Sequence, residues 1–386
     1  MIRLALAEMR RAPRRFVPLT VTLAAVMFLA LAVMALADGL LRASTGALRN
    51  TDADVFVFAD GASLNVFRSV LPDVLTIAIS HQAGVTGAGA LGFVPTAVRP
   101  ADADEDISVV AVSVSHGLPG RPADVVRGRL PFDGEPRVAA IDSRLAQQGI
   151  GVGDNLTVDR FTIEVVGIVD DASYLFRPTV WLPPSEFAVI RNLALPEFDV
   201  DESLTSVIAV SVSPSAGAAH VRQVIDEAFV EARAELEEMS DVQGGIEVVT
   251  AHEAWQAIPG VAAQQRTLRA LVAAVLVAAA AVVGVFMSIL AVGRRRLHGR
   301  LLALGVRPRT LAGAVITQAV VAVLASSVAA LVVLTAVGAV APSTVPLHVD
   351  PRSSVVVIAG AALAAVAGSL ADVRRIVRTD PVDALR

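Results

Sequence analysis

His252 and Glu253 open an H-E-x-x-H pattern, in which two histidines one helical turn apart hold zinc and the glutamate serves as general base. Gln256 stands at the second histidine position, so the ligand pair is broken. The run GAGALG, residues 87–92, matches the dinucleotide pattern G-x-G-x-x-G, but Phe93, Val94 and Pro95 follow where the phosphate-binding helix would begin. The acidic run DADED, residues 102–106, lacks the glycine and distal glutamate of a calcium loop and reads as a surface loop. There is no G-x-S-x-G nucleophile elbow. Without lysine in the chain, a G-x-x-x-x-G-K-[ST] phosphate loop is impossible. The six histidines (His81, His116, His220, His252, His298, His348) have no ligand spacing, and no cysteine is present for a thiolate site or a disulfide. The expectation is a non-catalytic chain with no cofactor of its own. Any nucleotide energy it uses is released in another chain.

What the residues do carry is a pattern of apolar spans and arginines. The chain has 386 residues, 54% hydrophobic, and its mean hydropathy is +0.64, too apolar for a soluble domain of this length. Crossing about 30 Å of hydrocarbon at about 1.5 Å per residue takes roughly 20 apolar residues. Four stretches satisfy this: residues 16–37, 270–292, 311–341 and 354–370. The fourth is the shortest, and Gly360, Ala364 and Gly368 give it a small-residue face on which another helix can pack closely. In an Ala-rich sequence, chance accounts for that face equally well. Ala35, Leu36 and Ala37 resemble a signal-peptidase site, but the first apolar run is much longer than a signal core of roughly 7 to 15 residues, which favours an uncleaved anchor.

Arginine placement predicts orientation. Arg3, Arg10, Arg11, Arg14 and Arg15 precede the first span, Arg294, Arg295, Arg296, Arg300, Arg307 and Arg309 lie between the second and third, and Arg374, Arg375, Arg378 and Arg386 follow the fourth. The positive-inside rule then places both termini in the cytoplasm of a multi-pass plasma-membrane protein, with residues 38–265 outside. That external segment holds 32 acidic residues and 14 arginines, a formal charge of about −18, which argues against nucleic acid as a partner.

The external segment reads as α+β. Short β-rich runs near Val55 and starting at Ile107, Phe161 and Thr205 are separated by Pro, Gly and Asp turn signals. Residues 63–80 suggest one helix, interrupted by Pro72. A second, from Ser215, has Val221, Ile225, Phe229 and Ala232 at helical spacing. Strand, helix and strand occur early and late, predicting two subdomains, with a β-rich one at about residues 117–196 inserted in the other. The fold class expected is therefore four transmembrane helices plus an α+β external domain of two subdomains.

The stretch GRRRLHGRLLALGVRPRTL, residues 293–311, lies between two spans on the predicted cytoplasmic side. Leu297, Leu301 and Leu304 share a helical face, Arg294, Arg295, Arg296 and Arg300 supply charge, Gly305 is a natural stop and Pro308 blocks continuation. Such an elbow can lie in the inner leaflet of the bilayer, or its leucine stripe can dock in a groove of a soluble partner.

These residues resemble a motif of the MacB and FtsX-like ABC transporter permease family, whose elbow typically reads R-R-x-E-I-G-I-L-R-A-L-G. Here Arg294, Arg295, Gly299, Leu301, Ala303, Leu304 and Gly305 match, whereas Leu297 replaces glutamate and Leu302 replaces arginine. The tail resembles the family ending R-x-D-P-x-x-A-L-R through Arg378, Asp380, Pro381, Ala384, Leu385 and Arg386. RGRLP from Arg127, the segment from Arg137 to the Gly153–Asp154 turn, and the run from Phe161 are similar to the family's periplasmic core domain. Residues 4–16 are similar to its amphipathic N-terminal helix, expected at residues 1–15.

The resemblance implies a permease chain, paired as a homodimer or heterodimer, with two copies of a separate ATPase subunit that binds ATP and Mg. The elbow, residues 293–309, would be the coupling helix, residues 266–386 the FtsX-like permease domain, and residues 371–386 a cytoplasmic tail. It also implies that the first two spans continue outward as stalks, although Gly39, Gly46 and Pro259 are poor helix residues. Two functions stay open at this level. One is export or extrusion of a lipophilic compound, peptide or lipoprotein. The other is ATPase-coupled signalling to a cell-wall hydrolase or from an external ligand, with an extracytoplasmic adaptor or hydrolase as further partner.

Overall fold

The computed structural model describes residues 13–101, 103–195, 204–216, 218–236, 245–293, 308–341 and 345–378. They form two compact units. One comprises Leu40–Ala263, and the other Met1–Gly39 with Gln264–Arg386. Helix α1, Pro13–Arg49, leads into the first unit and is unbroken through Gly39 and Gly46.

The Leu40–Ala263 unit contains two principal sheets. The smaller has β1 (Val55–Ala59), β3 (Val85–Leu91), β12 (Val207–Val212) and β13 (Ile246–Thr250) in the order β13-β1-β12-β3, with β1 antiparallel to both neighbours. Both faces of this sheet are covered, which explains why β1 reads as the continuous apolar run VFVF. Alternation sends Val55 and Val57 to one core with Ile208 and Val210, beneath helices α2 (Val74–Ser80) and α5 (Ala218–Leu236). It sends Phe56 and Phe58 to the opposite face, with Val207 and Ala209. A two-residue strand β2 (Leu71–Pro72) pairs with β11 (Leu204–Thr205).

The helix expected over residues 63–80 is present only as α2. Ser63 and Leu64 have left-handed φ of 54° and 53°, and Leu71–Pro72 is extended and paired. Proline withholds an N–H from a helix and forces its predecessor toward extended backbone, so the helix begins after it.

The larger sheet contains β4 (Phe93–Pro100), β5 (Ile107–Ser113), β6 (Val125–Gly128), β7 (Val138–Asp142), β8 (Asn155–Val158), β9 (Phe161–Val169) and β10 (Thr179–Leu182), with the short α3 (Ser143–Ala146) and α4 (Pro184–Ala194). Its order is β6-β9-β7-β10-β5-β4-β8, and β8 also pairs with β9, which closes six strands into a ring and leaves β6 as an edge strand on β9. Val94, Val109, Ala139, Ile141, Ile163, Val180 and Leu182 belong to its own core. The alternate residues Val110, Val112, Ala140, Val169 and Trp181 join Phe56 and Phe58 in the core between the two sheets.

The ring begins at Phe93, whereas the inserted subdomain was expected at about residues 117–196. A single residue, Gly92, separates β3 from β4. The chain passes between sheets at Gly92, where a Cβ would collide with the Phe187 ring. Gly87 and Gly89 of the GAGALG run lie in β3, and their missing side chains leave room for Leu118 and Pro119.

In the other unit, the part of α1 up to Gly39 packs with α7 (Val261–Gly293), α8 (Pro308–Val340) and α9 (Pro351–Arg378) around Leu23, Met27, Ala279, Val283, Ala322, Val323 and Ala361. Four segments of these helices are long and apolar enough to cross a membrane: Val17–Arg49, Val261–Phe286, Gly313–Val340 and Pro351–Ser369.

Candidate functional site

The coupling-elbow residues Arg294, Arg295, Leu297, Arg300, Leu301, Leu304 and Gly305 lie outside the described residues, as do residues 379–386 of the tail. The flanking helices are described: α7 ends at Gly293 and α8 starts at Pro308. The small-residue face is described too. A Cβ on Gly360 would meet Leu276 Cδ1 at 3.1 Å, and one on Gly368 would collide with the Ala280 carbonyl and lie 3.3 Å from the Gly284 nitrogen. Conversely, a Cβ on Gly284 would be 3.0 Å from the Gly368 carbonyl oxygen. Leu276, Ala280 and Gly284 recur every fourth residue on α7 as Gly360, Ala364 and Gly368 do on α9, and both contacts progress in the same chain direction. The two helices are parallel and touch backbone to backbone, which only glycine permits. Ala364, between the two glycines, is half-buried.

In the Leu40–Ala263 unit, the end of α1 is built into the fold. Leu48 and Ala47 lie in the core between the two sheets, together with Ala254 and Ile258 and with Val261 at the start of α7. Both ends of the helical connections therefore enter one buried cluster, against Trp181, Tyr174 and Phe58.

Backbone bonds fix α1 to the loop after β9. Ala47 N donates to Ser173 O at 3.0 Å, Leu175 N to Ser44 O at 3.1 Å and Phe176 N to Ala43 O at 2.8 Å. Gly46 allows this approach, because a Cβ there would collide with the Asp171 carbonyl. Asn50 adds two side-chain bonds, donating to Asp170 O at 3.1 Å and Asp124 Oδ2 at 3.2 Å.

Charge completes the joint. Arg49 pairs with Asp171, and Arg42 lies 3.9 Å from the same oxygen and 3.7 Å from Asp170. The Asp171 side chain is 4% exposed, and its other oxygen has no hydrogen-bond partner. Burial pushes the Asp171 carboxyl above the ordinary aspartate range, offset in part by Arg49 and Arg42. Behind it, Asp142 caps α3 by accepting from Arg144 N at 2.9 Å and also accepts from Ser173 Oγ at 2.5 Å. Burial raises this carboxyl too, against those two hydrogen bonds. Sequence reasoning did not single out Arg42, Arg49, Asp142 or Asp171. The available signal was the Asp170–Asp171 pair, which closes a strand where a solvated loop would be expected.

The second connection is interrupted. Thr250 and Glu253 form a capping box on α6 (Ala251–Gln256), and Glu253 also accepts from Arg222 at 2.5 Å. These bonds hold the Glu253 carboxyl below the ordinary glutamate range, the Thr250 backbone N–H contributing most. His252 stacks edge-on against Trp255 and bonds Gln256 at 2.8 Å, so the broken zinc pattern is a helix start. Pro259 and Gly260, with φ +85° at Gly260, separate α6 from α7.

A family model described as MacB-like periplasmic core domain matches residues 19–228, and one described as FtsX-like permease C-terminal matches residues 269–381. Among solved structures, the chain is similar to the periplasmic region of MacB from Actinobacillus actinomycetemcomitans, at 14% identity and TM-score 0.38, covering 55% of this chain and 93% of that one. It is also similar to the extracellular domain of the noncanonic ABC-type transporter YknZ from Gram-positive bacteria, at 16% identity and TM-score 0.35, covering 52% and 100%. A core domain of the periplasmic kind, four membrane-length helices and an FtsX-like C-terminal region occur in one polypeptide. The chain belongs to the MacB/FtsX-like family of ABC transporter permeases, membrane subunits with an extracytoplasmic domain whose ATPase activity resides in a separate chain.

Proposed function

We propose that this permease subunit is a mechanical coupler. It receives movement from its ATPase at the elbow, residues 293–309, and delivers it through α1 and α7 to the external domain, extruding a lipophilic compound, peptide or lipoprotein at the outer face. Both termini and the elbow are cytoplasmic in this reading, ATP and Mg are bound by the ATPase, and a second permease chain completes the dimer. One observation carries the reading: α1 is a single helix from the membrane-spanning residues to Arg49, and its last turns are buried and bonded inside the external fold. At about 1.5 Å per residue its 37 residues span about 55 Å, well beyond the roughly 30 Å of hydrocarbon. A helix that ended at the membrane surface would need neither Gly46 nor the Asp171 joint.

The test is ATPase activity of the permease reconstituted in lipid with the ATPase that co-purifies with it. Leu301→Asp places a charge in the leucine stripe and is expected to abolish permease-dependent stimulation while membrane insertion and the helical signal persist. Wild-type stimulation in this variant would overturn the docking role of the elbow.

A further inference from the structure

Within the membrane unit, the connection between α8 and α9 crosses α1 at one place. His348 N donates to the Ala35 carbonyl at 3.0 Å, and the Pro346 backbone lies over Gly39 one turn further on. A Cβ at Gly39 would collide with the Pro346 carbonyl and lie 3.1 Å from His348 N. Gly39, a poor residue for a helix interior, is thus the seat of this connection.

We infer that residues 345–350 form a reversible latch that recognises one rotational and axial setting of α1, an inference that rests on the coupler reading above. Its attachments are independent of the helices it joins. Asp350 caps α9 locally, its carboxylate accepting from Ser353 N at 2.9 Å and its carbonyl from Ser354 N at 3.0 Å, so α9 stays capped when the segment lifts. The Ala35 carbonyl lies inside a continuous helix, so the bond from His348 is additional to the helical one and its loss leaves α1 intact. Leu347 N bonds Val345 O at 2.9 Å, giving the segment its own turn, and Val349 packs on the membrane core. If α1 turns by about 100°, Asp38 or Leu40 replaces Gly39 beneath Pro346, and if it slides by one turn, Ala35 or Ala43 does. Each brings a Cβ to a position without room for one, and the latch opens. The engaged latch therefore marks a resting position of the rod that drives the external domain.

The chain has no cysteine, so a cysteine pair introduced at Ala35 and His348 is the sole source of any disulfide, and crosslinking between the two positions reports their approach. In the reconstituted permease–ATPase complex, we expect a high disulfide yield without nucleotide and at least a threefold lower yield when the ATPase is held in its ATP-bound form. The oxidised complex is expected to lose at least ten-fold of its stimulated ATPase activity, with recovery on reduction. Equal yields in the two nucleotide states, or full stimulation of the crosslinked complex, would overturn the latch. If the cysteine-free protein itself gives no stimulation, the coupler reading falls and the latch with it. If that protein stimulates and only the crosslink has no effect, the latch alone falls.

Discussion

Replacing Arg49 by alanine leaves the buried Asp171 carboxylate without its contacting cation. Breaking a buried ion pair from one side costs about 3–5 kcal/mol. Here Arg49 is 26% exposed, and Arg42 stays within 3.9 Å of the same oxygen, so a cost of about 2–3 kcal/mol is expected. With a urea slope of about 2–3 kcal/mol per M, the unfolding midpoint of the external unit falls by about 1 M. Trp181 is fully buried in the core that includes Ala172 and Tyr174, so its fluorescence follows this transition in the full chain held in detergent. Adding Asp171→Asn to Arg49→Ala removes the stranded charge and is expected to recover about half of the loss. Acidification gives a further check. Without Arg49 the folded-state pKa of Asp171 rises further above its unfolded value, so the folded state binds the extra proton. Stability is then gained as pH falls through the window between those two values and lost as pH rises through it, and the deficit of Arg49→Ala shrinks on acidification. An unchanged midpoint for Arg49→Ala at neutral pH, or further destabilisation by Asp171→Asn in that background, would refute the idea that this pair anchors the rod.

The same sign applies to Asp142, whose folded pKa is raised by burial. The Asp142 contribution to stability is expected to grow as pH falls toward the ordinary aspartate value of about 3.9, and the difference between wild type and Asp142→Asn in urea titrations across that range isolates it. Glu253→Ala removes the capping box and the Arg222 bond and is expected to lower the thermal midpoint. Gly368→Val forces α9 away from Ala280 and Gly284, an overpacking cost of about 1–3 kcal/mol. Reduced ATPase stimulation with normal membrane insertion is the expected readout, and Gly360→Ala, which faces only the end of a flexible leucine, is expected to be much milder.

Apolar length and turn chemistry are local properties, which is why the membrane helices, β1, β5, β9 and α5 were legible. The ring of six strands was not legible, because the β8–β9 closure and the parallel β5–β10 and β7–β9 pairings join segments with no local signal for one another. The inserted subdomain likewise begins earlier than the turn signals suggest, because a single glycine, Gly92, carries the chain between sheets.

Glycines mark the division most clearly. From sequence, Gly39 and Gly46 read as weak points in a helix, since propensity depends on the residue alone. In the fold they are sites of close approach, by Pro346 and Asp171 respectively, and nothing local encodes that the approaching backbone comes from over 100 residues away. Pro259 and Gly260 do break the second connection, because a missing N–H and a left-handed φ act locally. Sequence by itself determined the apolar spans, the charge division and the family motifs, all of which are properties of neighbouring residues. The tertiary structure alone decided that Arg49 meets Asp171 and that both connections end in one core, because those contacts exist only once distant segments have packed together.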